Sequence, residues 1–218
     1  IRLRSPSTRD LYAVSRAVED LHIDALLVIG GYSAYEGIYT MMTERDRYPA
    51  FRIPTVCIPA SIDNNLPGSE LSIGTDTALN VIVEAMDKIK EAGIAARRCF
   101  VVETMGRDCG YLALMSGIAA GAERIYTNED GISLDDLAND VHWLRESFAH
   151  GRRLFLAVRN ENASHNYTTD FIARLLEEES HGMYDVRQVV LGHMQQGGSP
   201  SPFDRLLANR LGYRALNL

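Results

Sequence analysis

Two kinds of segment alternate along this chain. Short runs of consecutive apolar residues occur at Ala25 to Ile29, Thr55 to Ile58, Cys99 to Val102, Leu154 to Val158 and Val186 to Leu191. Apolar residues on successive positions, rather than on alternate ones, predict strands buried on both faces. Between these runs the apolar positions recur at helical spacing. Leu11, Val14, Val18 and Leu21 predict one helix, with Ser7 and Thr8 as candidate N-caps. Thr75 to Lys90 predicts a second, through Ala78, Leu79, Ile82 and Met86. Ser133 opens a third, with Asp135 and Asp136 where the helix dipole favours negative charge. A fourth is expected from about Thr168 to Glu179, and a last one begins near Pro202. Alternating β and α units predict an α/β fold, with a mostly parallel sheet or sheets, helices on both faces, and room for two small lobes around a cleft. No repeat, linker or low-complexity tract divides residues 1–218, which read as one unit.

Composition narrows the class. The 218 residues are 46% hydrophobic and 23% charged, as in ordinary globular domains. A net charge of −7 argues against a nucleic-acid partner, whose phosphates need a basic face. No apolar run approaches the ~18 residues of a membrane span, and the first residues do not resemble a signal peptide. Cys57, Cys99 and Cys109 are odd in number and lack metal-ligand spacing. Reduced thiols in the cytoplasm fit that usage, with Cys57 and Cys99 buried inside apolar runs. In that compartment the triplets Asn162-Ala163-Ser164 and Asn166-Tyr167-Thr168 carry no sugar.

In parallel sheets, ligands bind beyond the carboxyl ends of the strands, so the segment after each strand matters most. Gly30-Gly31-Tyr32-Ser33 follows the first and Pro59 to Asn65 the second. Glu103 to Arg107, Arg159-Asn160-Glu161 and Gly192 to Gly198 follow the other three. All five are polar or glycine-rich, and their chemistry suits a phosphorylated polyol. Arg107, with Arg98 and Arg187 before the third and fifth strands, offers charge-assisted bonds to phosphate. Glu161, Asn65 and Gln196 suit sugar hydroxyls, and Gly106 and Gly197-Gly198 let backbone amides approach an anion. Asp63 is placed to accept a hydroxyl proton during phosphoryl transfer. Plainer readings stand beside these. Arg98 and Arg187 also read as surface arginines flanking strands, Asp63 as an Asx-turn residue, His193 as a packed histidine, and Gly30-Gly31 as a tight turn.

Taken in order, Val28 to Gly31, Ile58 to Asn65, Gly74 to Ala78, Glu103 to Arg107 with Cys109 to Ala113, and Leu191 to Gly198 running on to Arg205 resemble the 6-phosphofructokinases over nearly the whole chain. The resemblance implies that Asp63 is the catalytic base, with Ser61, Ile62, Asn64 and Asn65 around it in the sugar-binding loop. It implies that Met105, Gly106 and Arg107 hold the sugar, and that Arg98, Glu161 and His193 are further sugar or phosphate ligands. Arg4 matches a phosphate-touching arginine. Arg187 matches one that reaches a neighbouring subunit, so an oligomer such as a tetramer is implied, or pairing with the N-terminal half of the same chain. Gly30 and Gly31 match the nucleotide side, and no residue is assigned to a metal.

The departures from the family pattern are informative. Tyr32 stands where catalytic members carry an aspartate for magnesium and ATP, Asn65 replaces a carboxylate, and Gln196 replaces an arginine. The family's glycine-rich nucleotide loop is expected to precede residue 1, and its C-terminal tail to follow residue 218. Magnesium and ATP are therefore expected to serve the parent enzyme rather than this segment. The aromatic after Gly-Gly, Asn64 to Gly68, Arg159-Asn160-Glu161, Tyr167 to Asp170 and His193 to Gln196 are similar to the C-terminal half of double-length eukaryotic-type enzymes. That likeness implies an effector half binding fructose 2,6-bisphosphate. The alternatives are a catalytic half that uses Asp63 on fructose 6-phosphate, with ATP or pyrophosphate as donor, and a non-catalytic sugar-phosphate sensor of the same fold.

Overall fold

Each long apolar run becomes a strand, and each amphipathic run a helix packed on it. A computed structural model describes residues 10–93 and 96–218. Arg4 and the expected caps Ser7 and Thr8 lie outside the described residues. Seven α-helices are present among them: α1 Leu11–Asp20, α2 Tyr32–Thr43, α3 Thr75–Gly93, α4 Tyr111–Ala120, α5 Leu134–Ala149, α6 Thr169–Glu179 and α7 Pro202–Leu216. Six strands accompany them: β1 Leu26–Gly30, β2 Thr55–Pro59, β3 Arg98–Thr104, β4 Arg124–Tyr126, β5 Leu154–Asn160 and β6 Asp185–Val190. The chain divides into two units.

The first unit comprises the residues up to Ser61, Leu66–Ile73 and Pro202–Leu218. Its β1 and β2 pair in parallel, Leu26 opposite Thr55 through Gly30 opposite Pro59. Leu11, Ile38, Met41 and Phe51 form its core. The strand β1 is not buried on both faces as its apolar run predicts, because Leu27 and Ile29 are 46% and 62% exposed.

The second unit comprises Ile62–Asn65 and Gly74–Ser201. Its sheet has the order β4-β5-β3-β6, and every pair is parallel. Successive residues of β3 point to opposite faces. Cys99 and Val101 pack with Leu137, Leu144 and Phe148 of α5 and Ile172 and Leu176 of α6. Phe100 and Val102 pack with Ile82 and Met86 of α3 and Leu112 and Ala113 of α4. The consecutive apolar residues of β3 and β5 therefore serve two cores at once, as a doubly covered parallel sheet requires. The run at β6 behaves differently. Among the described residues it is an edge strand bonded only to β3, and Arg187, Gln188 and Val190 are exposed.

Local signals held where they were specific. Ser133 caps α5 with a reciprocal capping box to Asp136, and Thr168 caps α6 through Phe171 N–H. Three elements were not expected from the sequence, the first being α2, whose start reads only as the turn after Gly30-Gly31. The helix α4 is apolar nearly all round, and β4 is three residues long.

Candidate functional site

The chemistry of the second unit gathers at the carboxyl ends of β3 and β5. Beyond β3 the chain turns through Gly106 at φ +138°, a conformation that favours glycine. A Cβ at this position would lie 2.5 Å from Cys109 O and 2.6 Å from Asn160 Nδ2. The turn is that tight because Asn160, the buried last residue of β5, donates from Nδ2 to Gly106 O at 2.9 Å and Cys109 O at 3.2 Å. Gly106 N–H donates to Glu161 Oε1 at 3.2 Å, and Met105 N–H donates to Gln195 Oε1 at 3.1 Å. Gln195 is itself buried, and its Nε2 donates to Gly192 O at 2.9 Å. Three separate segments, 105–110, 160–161 and 192–196, are thus joined by hydrogen bonds to side chains that the strand ends hold in place.

The loop carrying Asp63 is locked to the same turn. Asn65 Nδ2 donates to Arg107 O at 2.9 Å, and Arg107 N–H donates to the Asp63 carboxylate. Both backbone polar groups of Arg107 are therefore bonded to this loop, while its side chain is exposed. Asn64 and Asp108 flank the junction at φ +53° and +55°. Left-handed non-glycine residues are strained and cluster at functional sites. Cys109 Sγ lies 3.6 Å from Asn64 O, a further tie across the junction.

Burial pushes the Asp63 carboxyl above the usual aspartate range, and the Arg107 N–H and guanidinium pull it back only in part. A carboxyl raised in the folded state favours folding at low pH, and that contribution disappears as pH rises through its folded-state value. Asp63→Asn is accordingly expected to unfold at a higher temperature than wild type at pH 7, with the gap closing by pH 3. Thermal melts at the two pH values check this, and equal midpoints at pH 7 would count against a desolvated Asp63.

Most of the expected sugar-binding residues of this unit converge here. Ile62, Asp63, Asn64, Asn65, Met105, Gly106, Arg107 and Glu161 lie at the joined loops, with exposed His193 and Gln196 on the segment that Gln195 ties to Met105. Exposure removes the packed-histidine reading of His193. Glu161 Oε1 is held by Gly106, which leaves Oε2 to accept from a hydroxyl. Arg98 and Arg187 are placed elsewhere. Arg98 is the first residue of β3, at the opposite end from Gly106, and Arg187 lies on β6 opposite Phe100. Arg98 Nη1 reaches Ala92 O at 3.3 Å, and Arg187 Nη1 reaches Val186 O at 2.8 Å.

Arg159 and Asn160 are strand residues, not loop residues, and both turn into the protein. These two and Gln195 form the support that sequence reading passed over. The only signal was their place immediately beside Glu161 and Gln196.

In the first unit, Gly30 ends β1 and Gly31 occupies the N-cap of α2. A Cβ on Gly31 would come within 3.2 Å of Ser61 Cβ and 3.6 Å of Ala60 O, so a larger residue here would ask Ser61 to give by only a few tenths of an ångström. Backbone N–H groups at such a turn suit a phosphate. The adjoining side chain is Tyr32, 57% exposed, and it brings no metal ligand. Among the described residues, no three His, Cys, Asp or Glu side chains are grouped to hold a metal ion.

Comparison with known proteins places the chain. The phosphofructokinase family model matches residues 2–218. Rat platelet-type ATP-dependent 6-phosphofructokinase is 46% identical over 207 residues, 94% of this chain and 26% of that protein. Mouse muscle-type ATP-dependent 6-phosphofructokinase is 45% identical over 215 residues, 98% of this chain and 28% of that protein. The Pichia pastoris phosphofructokinase crystallised in the T-state is 40% identical with a TM-score of 0.91, covering 95% of this chain and 24% of that one. The Saccharomyces cerevisiae phosphofructokinase structure gives 38% and 0.92, covering 95% and 28%. The chain spans about a quarter of the length of these relatives. With the family match running from end to end and the Asp63, Gly106 and Glu161 segments joined at one sheet edge, this chain belongs to the phosphofructokinase family.

Proposed function

We propose that this chain is part of a cytoplasmic ATP-dependent 6-phosphofructokinase, and that it binds a fructose phosphate as the effector half for fructose 2,6-bisphosphate. The observation that carries this reading is an asymmetry. Many of the residues expected on the sugar side lie together, from the Asp63–Arg107 lock to Glu161 on Gly106. At the two positions where the resemblance implies carboxylates, the chain carries Tyr32, after Gly30-Gly31, and Asn65, in the Asp63 loop. Phosphoryl transfer needs its developing charge neutralised by a metal, and Tyr32 and Asn65 offer it no carboxylate. An effector must bind one conformational state of the enzyme better than another. Arg187, exposed on the edge strand β6, is assigned to a neighbouring copy's or half's site in an oligomer such as a tetramer.

A second reading has one specific observation behind it. Asp63 is present, and burial makes it a stronger base than a solvated aspartate. In that reading Asp63 takes the proton of the C1 hydroxyl of fructose 6-phosphate as the oxygen attacks the γ-phosphorus of ATP and ADP leaves.

Calorimetric titration of the full-length protein with fructose 2,6-bisphosphate and fructose 6-phosphate, with and without magnesium-ATP, tests both readings. For the effector half, Asp63→Ser is expected to leave maximal turnover near wild type while changing bisphosphate activation. Abolished turnover with substrate affinity intact would make this the catalytic half, and no sugar-phosphate binding at all would reject both.

A further inference from the structure

We propose that Arg159 is a positioning residue that sets the geometry of Glu161, and through it the Gly106 turn; its consequence for ligand affinity rests on the fructose-phosphate reading above. Arg159 is 2% exposed, the largest fully buried side chain among the described residues. A buried guanidinium has five N–H donors that all need acceptors. Four acceptors surround it within 3.2 Å. Nη1 donates to Glu103 Oε2 at 2.8 Å and Glu161 O at 3.2 Å, Nη2 to Ser164 O at 2.6 Å, and Nε to Tyr167 O at 3.2 Å. Thr169 Oγ1, itself bonded to Glu103, lies at 3.5 Å.

Three of those acceptors are backbone carbonyls of one segment, residues 161–167, which has no regular secondary structure. A loop without a ladder of its own must find partners for its carbonyls elsewhere. Here one cation collects them. The first residue of that loop is Glu161, whose side chain holds Gly106 N–H and whose own N–H is tied to Thr104 O at 2.9 Å. Arg159 thus fixes the carbonyl of the residue whose carboxylate faces the site. A planar fork does this in three directions at once, which a lysine ammonium on a flexible stem does not reproduce. Glu103 supplies the countercharge that makes the buried cation tolerable.

The test is made on the full-length protein. Arg159→Lys keeps the charge beside Glu103 and is expected to weaken binding of fructose 6-phosphate or fructose 2,6-bisphosphate on the order of tenfold. In a Glu161→Gln background the same change is expected to add nothing, since its effect runs through Glu161. Amide exchange at Gly106, read without any ligand, is expected to quicken in Arg159→Lys. Should the lysine variant fail to fold, Arg159→Met with Glu103→Leu removes the buried pair together. That double variant is expected to fold with a lowered melting midpoint, since the 161–167 carbonyls lose their donor, and to lose affinity and Gly106 protection. Unchanged Gly106 exchange, or a fully additive loss in the Glu161→Gln background, would overturn the positioning role. If wild type binds neither sugar phosphate, the functional reading fails, and exchange at Gly106 alone decides the role of Arg159.

Discussion

Gly106→Ala is expected to weaken fructose-phosphate binding about 100-fold or more, close to 3 kcal/mol. The reason is steric before it is conformational. A methyl group would meet Cys109 O at 2.5 Å and Asn160 Nδ2 at 2.6 Å. Neither is the loose end of a flexible side chain, because Cys109 O is backbone and Asn160 is buried with its amide already committed. The turn would have to open, separating Gly106 N–H from Glu161 and shifting Arg107 away from Asp63 and Asn65. The control is Gly121→Ala. Gly121 also has positive φ, at +68°, but nothing within 4 Å of its added Cβ. It is expected to cost only about 1 kcal/mol of stability and to leave binding intact. Calorimetry on both variants checks the pair. Equal loss of binding in the two would attribute the effect to backbone strain alone.

Asp140→Ala is expected to lower stability by about 2–3 kcal/mol, read as a shift in the denaturant midpoint at constant slope. Asp140 is 3% exposed on α5 and holds both Arg124 and the Tyr126 hydroxyl of β4. Its removal leaves the buried Tyr126 O–H without its acceptor and Arg124 without its carboxylate. Tyr126 is already driven far above the normal tyrosine range by burial and by Asp140, so its hydroxyl stays neutral and acts as a donor. Tyr126→Phe in the Asp140→Ala background is expected to recover part of the loss, since it removes the orphaned hydroxyl. An unshifted midpoint for Asp140→Ala would mean that α5 is held to β4 by its apolar face alone.

Much of the candidate site was legible because its residues lie beside punctuation that the backbone itself demands. Gly106, Asn65 and Glu161 each follow an apolar run that ends abruptly, and such ends are where a parallel sheet exposes ligand groups. The supporting shell was not legible. Arg159 sits in the triplet Arg159-Asn160-Glu161, which reads as three polar residues leaving a strand. In the folded chain the first two still belong to β5, and only the third faces the site. A buried arginine looks like an exposed one in sequence, because its acceptors are carbonyls that any residue carries. Gln195 and Gln196 are likewise adjacent and identical in type, yet one is 1% exposed and the other lies on the surface.

The sequence by itself determined what depends on neighbours along the chain. The alternation of strand and helix, the Ser133 and Thr168 caps, and the polar or glycine-rich loop after each long apolar run all follow from spacing and local chemistry. Tertiary structure alone decided what depends on segments meeting from far apart. It separated β1 and β2 from the other strands as their own pair, and it ordered the larger sheet β4-β5-β3-β6. It made β6 an edge and placed Arg98 and Arg187 away from the Gly106 turn. The physical reason is that strand pairing and side-chain direction are set by which distant backbone groups satisfy one another and which apolar faces must be covered. Periodicity says that a residue will be buried, but only the assembled sheet says against what.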